Sequence, residues 1–143
     1  MRYAITTGLL ILAAVGRLSA DTAAPGRPWE RPGSTVQKAI LCDGLDDAGQ
    51  PRHPGQVFDA HQRVVVLWLA VDPAGNETAY DVVWSRAGKS ILERSWTVRW
   101  ARRRLFTLAP TSTARLAPGQ YQVEVREDKL AVRRISFVIG DAQ

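Results

Sequence analysis

The stretch Leu116-Ala117-Pro118-Gly119-Gln120-Tyr121-Gln122-Val123-Glu124-Val125 decides how the rest of the chain is read. From residue 120 to 126, Tyr121, Val123 and Val125 alternate with Gln122, Glu124 and Arg126, the period-two pattern of a strand with one buried face. Pro118-Gly119 ahead of it supplies turn chemistry. Tyr121 offers a ring to a core and a hydroxyl to a nearby backbone group. Downstream, Glu127-Asp128-Lys129 predicts a tight hairpin, and residues 130–139 the return strand, with Ile135, Phe137 and Ile139 on one face. Upstream, residues 78–85 set Tyr80, Val82 and Trp84 against Ala79, Asp81, Val83 and Ser85, and Ala87-Gly88-Lys89 makes the next turn. Residues 91–100 set Leu92, Trp96, Val98 and Trp100 against Glu93, Ser95, Thr97 and Arg99. Arg94 is the exception on the apolar side, as a bulge or a sheet edge would allow.

Further out, residues 63–71 are β-branched and almost continuously apolar, which predicts a strand buried on much of both faces. They end at the turn cluster Asp72-Pro73-Ala74-Gly75-Asn76. Residues 36–42 form a first strand, residues 43–55 a loop, and Val57-Phe58 a short strand; residues 105–108 are a short strand and 111–115 a polar crossing. No segment carries a long apolar stripe at helical spacing. Seven or eight short strands spaced by about ten residues predict an all-β, antiparallel sandwich or barrel, and residues 36–140 match the size of an immunoglobulin-type domain.

The opening stretch resembles the L-x-P-G-x-Y-x-V-x-V run leading into strand F of fibronectin type III and other immunoglobulin-like domains. That resemblance implies a tyrosine corner built from Leu116, Pro118, Gly119 and Tyr121, in an immunoglobulin-like sandwich of seven to eight strands. Residues 58–140 also resemble the small immunoglobulin-like modules of exported bacterial proteins of poorly defined role. Trp84 and Phe137-Val138-Ile139 fill the expected places. Asp128-Lys129 departs from the usual Asp-Gly or Asn-Gly hairpin tip. Such sandwiches host many unrelated roles, so the resemblance implies a fold more than a function.

The chain has 143 residues, with 19 Lys+Arg against 14 Asp+Glu, a formal charge of +5 and a pI near 10.0. Arg2 and the apolar run through residues 9–15, followed by Gly16, Ser19 and Ala20, read as a signal peptide over residues 1–20, cleaved after Ala20 or Gly16 or retained as an anchor. Residues 21–35 read as a Pro/Gly-rich extended leader, and residues 36–140 as the domain. The expected location is periplasmic or secreted, with no transmembrane span in the mature chain. Loss of residues 1–20 removes Arg2 and Arg17 and leaves a net +3. Cys42 is the sole cysteine, so no intrachain disulfide is available. It reads as a buried small apolar residue, or as a reactive or intermolecularly paired thiol.

A nucleophile elbow, a P-loop, H-E-x-x-H and C-x-x-C are all absent, so the expectation is a non-enzyme with no cofactor. His53 and His61 lie near Asp43, Asp46, Asp47 and Asp59, but no spacing matches a known metal site, and no metal ligands are assigned. The most unusual feature is a basic cluster, Arg94, Arg99, Arg102, Arg103 and Arg104, interleaved with Trp96, Trp100 and Phe106 on what reads as a middle hairpin. Arginine beside exposed aromatics contacts proteins and anionic polymers. The competing reading turns Trp96 and Trp100 into the core and leaves the arginines guarding a sheet edge. The candidate binding residues are therefore Arg94, Arg99, Trp100, Arg102, Arg103 and Arg104, facing a protein or an envelope polymer. Export argues against nucleic acid, and the oligomeric state is left open. Two other readings stand beside this one: a small inhibitor that presents residues 43–55 to a protease or lysozyme-type hydrolase, and a metal-binding periplasmic protein.

Overall fold

The computed structural model describes residues 26–59, 63–110 and 116–140. The expected signal segment, residues 21–25 of the leader, His61 and the crossing at 111–115 lie outside the described residues. The described chain is all-β. Its strands are β1 (Trp29–Glu30), β2 (Val36–Cys42), β3 (Gly44–Leu45), β4 (Pro51–Arg52), β5 (Val57–Phe58), β6 (Val65–Val71), β7 (Thr78–Arg86), β8 (Lys89–Val98), β9 (Arg102–Leu108), β10 (Gly119–Glu127) and β11 (Leu130–Ile139). The larger sheet runs β1-β11-β10-β7-β8, with β5 added in parallel to β11; the smaller runs β2-β6-β9, and β3-β4 is a separate ribbon. All other pairings are antiparallel.

The inner faces of the two sheets share one core, so the fold is sandwich-like. Alternation puts Tyr80, Val82 and Trp84 of β7, Tyr121, Val123 and Val125 of β10, and Ile135, Phe137 and Ile139 of β11 in it, opposite Val65, Leu67, Leu69 and Val71 of β6. Trp84 and Tyr121 both pack on Phe137, the first edge-on and the second stacked. The Tyr121 hydroxyl donates to the Ala117 carbonyl at 2.6 Å, tying the turn before β10 to the strand, with Leu116 buried beneath. Burial of a large apolar side chain is worth about 1.5–3 kcal/mol. The Trp84 indole N–H offsets part of that, because it is buried with no hydrogen-bond partner among the described residues.

Two-residue turns close both hairpins of the larger sheet. Ala87-Gly88 and Asp128-Lys129 each hold two successive positive φ angles, the geometry whose twist matches paired strands. Lys129 stands where glycine is usual, and Asp128 anchors the turn. Its N–H donates to the Ala79 carbonyl at 2.8 Å, and its Oδ1 accepts the Ala79 N–H at 3.0 Å.

Four sequence expectations need correction. The leader is not wholly separate: Trp29-Glu30, between Pro28 and Pro32, retain their N–H groups and pair with Arg134 and Arg133. The 43–55 loop contains the β3-β4 ribbon, with Asp46 Oδ1 accepting the Ala48 and Gln50 N–H groups at its tip. The strand expected at 105–108 begins at Arg102. Finally, β8 and β9 are not a hairpin. They belong to opposite sheets, and residues 99–101 carry the chain across the flank of the sandwich.

Candidate functional site

The two outer faces differ in chemistry. On the larger sheet, Glu124 accepts Arg126 Nε at 2.7 Å and Arg134 Nε at 2.8 Å, while the Arg134 guanidinium also stacks over Trp29 at 4.9 Å. Burial raises the Glu124 pKa, but the two arginine hydrogen bonds outweigh it and hold the carboxyl below its ordinary range. Asp81 is buried and accepts the Ser95 hydroxyl at 2.7 Å, with Lys129 Nζ at 3.2 Å. The Ser95 hydrogen bond, helped by Lys129, holds its carboxyl below the ordinary range against burial.

The smaller sheet carries an apolar outer face instead. Cys42, Val66, Trp68 and Ala70 form a second buried cluster, packed with Ile40, Leu45 and Val64. Leu45 belongs to the ribbon, so β3-β4 covers part of this face. Cys42 is fully buried there, its Sγ 3.6 Å from the Val66 carbonyl, and burial raises its pKa. The thiol is therefore kept protonated and inaccessible, against the reactive-thiol reading. Between the ribbon and β9 lies a cleft of about 240 Å³, lined by Leu45, Gly49, Trp68, Arg103, Arg104 and Leu105.

Cross-strand register assigns each arginine of the cluster. Arg102 pairs with Val71 and Arg104 with Leu69, both core-facing, so these arginines lie on the inner side of the β9 edge; Arg103 pairs with Ala70 and lies on the outer side. Arg94 pairs with core-facing Val82 and so lies on the inner side of β8, itself a sheet edge, which explains the charged exception in the apolar set. Arg104 spans the flank, its guanidinium 5.8 Å from the Trp96 ring of β8 and 5.1 Å from Phe106. Arg103 stacks over Trp68 at 5.7 Å. No protein-family model matches this chain, and no curated protein matches it. The arrangement must therefore be read from its own chemistry.

The structure divides the predicted cluster. Arg94, Arg102, Arg103 and Arg104 border one flank and have no ion pair among the described residues. Arg99 belongs to the end of the sandwich, 3.5 Å from Glu77. Trp100 is there too. It is 61% exposed rather than in the core, and its ring lies over the turn at Gly75, where a Cβ would come within 3.0 Å of it. Gly75 also adopts a φ of +89°, so glycine is required there twice over. Trp96 is half-buried at the margin of the core. Leu105, 42% exposed beside Arg103 and Arg104, was not singled out from sequence; its alternation with Phe106 inside an arginine-led strand was the available signal.

The metal reading gains no geometry. Asp43 is engaged by Arg52 Nε at 2.9 Å and by His53 Nδ1 at 2.6 Å, and Asp46 caps the ribbon turn. Among the described residues no group of three or more His, Cys, Asp or Glu side chains could hold a metal. Nor is any helix among them long and apolar enough to cross a membrane.

Proposed function

We propose that this chain is an exported, immunoglobulin-like, non-enzymatic binding module whose β8-β9 flank docks a protein or an anionic envelope component. The immunoglobulin-like assignment draws on the 2.6 Å Tyr121–Ala117 bond, the hydrogen bond of a tyrosine corner, and on two largely antiparallel sheets that share one core. One observation carries the functional reading. Arg94, Arg102, Arg103 and Arg104 border one flank without acidic partners among the described residues, whereas Glu124 and Asp81 on the larger sheet are matched by cations of the same chain. Unmatched guanidinium groups beside half-exposed aromatic and aliphatic surface supply steering and a desolvated anchor together.

The test is retention of the full chain and its partners in native envelope extracts, compared with the charge-reversed variant Arg102→Glu/Arg103→Glu/Arg104→Glu. Loss of cross-linked partners in the variant, with an unchanged circular dichroism spectrum, is the expected result. An identical partner set would remove the flank from consideration. Inhibition of a hydrolase panel that survives charge reversal would instead favour the inhibitor reading.

A further inference from the structure

We infer that β9 accepts an extended acidic polypeptide of a partner protein as an additional antiparallel strand. This rests on the flank-binding reading above and names its partner. No described strand pairs with the far side of β9, so every second backbone N–H and C=O of Arg102–Leu108 faces away from β6 without a ladder. The β9 register with β6 runs over all seven residues without a shift, from Val65↔Leu108 to Val71↔Arg102, so the edge is regular. The competing edges each carry a register shift near one end, β8 opposite Trp84/Ser85, which leaves Leu92–Val98 regular, and β2 between Val36 and Lys38, which leaves Lys38–Cys42 regular, whereas β9 carries none. Bulges of this kind disfavour strand addition.

Side-chain alternation then sets the chemistry of the visitor. On the inner side of β9 an added strand runs beside Arg102 and Arg104, with Arg94 across the flank, and then beside Phe106 and Leu108, so acidic residues belong opposite the first half of β9. On the outer side it runs beside Arg103, then beside half-exposed Leu105 at the rim of the cleft and Thr107, so apolar residues belong opposite the second half of β9. A strand with apolar residues first and acidic residues last, which antiparallel pairing sets against Leu105–Leu108 and Arg102–Arg104 respectively, satisfies both, and main-chain ladder bonds supply affinity independent of sequence. The same arginines oppose a second copy of β9, because like charges directly opposite repel. The edge thereby discriminates between self-association and an acidic guest.

The experiment uses the ¹⁵N-labelled full chain with the peptide acetyl-Val-Leu-Val-Glu-Glu-Glu-Glu-amide. Its control has the same composition rearranged to four glutamates followed by the apolar residues. The apolar-first peptide is expected to bind at least tenfold more tightly than the control and to slow hydrogen exchange at alternate amides of residues 102–108. Arg102→Ala/Arg104→Ala is expected to weaken it by a further tenfold or more. Equal binding of both peptides, or of an anionic polysaccharide alone, without amide protection overturns strand addition but leaves the charged flank in place. Protection confined to β8 also overturns it. Failure of every acidic probe to bind removes strand addition and the flank reading together.

Discussion

The outer face of the larger sheet and the outer face and free edge of the smaller sheet solve the same problem in opposite ways. On the first, Glu124, Arg126 and Arg134 form a closed set of charge-assisted hydrogen bonds, and buried Asp81 is held by Ser95 and Lys129. On the second, Trp68, Val66 and Cys42 are shielded by a ribbon of the chain itself, and the adjoining edge carries arginines that meet no acid among the described residues. A surface whose charges are internally matched has little left to offer a partner. The other has both unused charge and partly covered apolar area, the composition of an interface centre with a polar rim.

The largest expected effect of breaking this contrast lies under the ribbon. Trp68→Ala should destabilise the chain by about 3–5 kcal/mol, as other large-to-small aromatic deletions do, measured by urea unfolding. A loss below about 1 kcal/mol would mean that the second cluster is not a true core. The matched face should reveal itself in acid. Because Asp81 and Glu124 have folded-state pKa values below their unfolded ones, their stabilisation is complete above the unfolded carboxylate range near pH 4 and is lost as pH falls through the lower folded values. Thermal melts from pH 7 to pH 3 should show that loss, and Asp81→Asn/Glu124→Gln should be less stable at pH 7 and flatter towards acid. An unchanged acid slope in the variant would assign the loss to other groups. The smallest effect belongs to the edge. Arg102→Ala should change stability by no more than about 0.5 kcal/mol, because no ion pair of the described chain is removed. A larger fall would mean that the arginine stabilises the fold rather than awaiting a partner.

Much of this arrangement was legible before any coordinates. Tyr80, Val82, Trp84, Tyr121, Val123 and Val125 declared their faces because each strand has one dry and one wet side. The unbroken apolar run of β6 was equally informative, since Val66, Trp68 and Ala70 are buried on the outer face as well. The ribbon left no such trace. Its two-residue strands are held by hydrogen bonds from Asp46 and by the Asp43–Arg52 pair, which have no periodicity. The start of β9 was hidden for a different reason: on an exposed edge both alternating sets are arginine, so hydropathy does not oscillate. Whether residues 99–101 turn back within a sheet or cross to the other is decided by the core that forms on each side, not by those residues. That is why the arginines read as one hairpin when they border two sheets.

The ribbon over the smaller sheet also makes the protein its own stopwatch. Cys42 is fully buried in the cluster against which the ribbon's Leu45 packs. A thiol reagent can meet it only after that cover lifts or the whole sandwich opens. With no second cysteine in the chain to complicate the signal, the labelling rate in native buffer, set beside the global unfolding rate, times how often the flap beside the cleft comes away without the core following it.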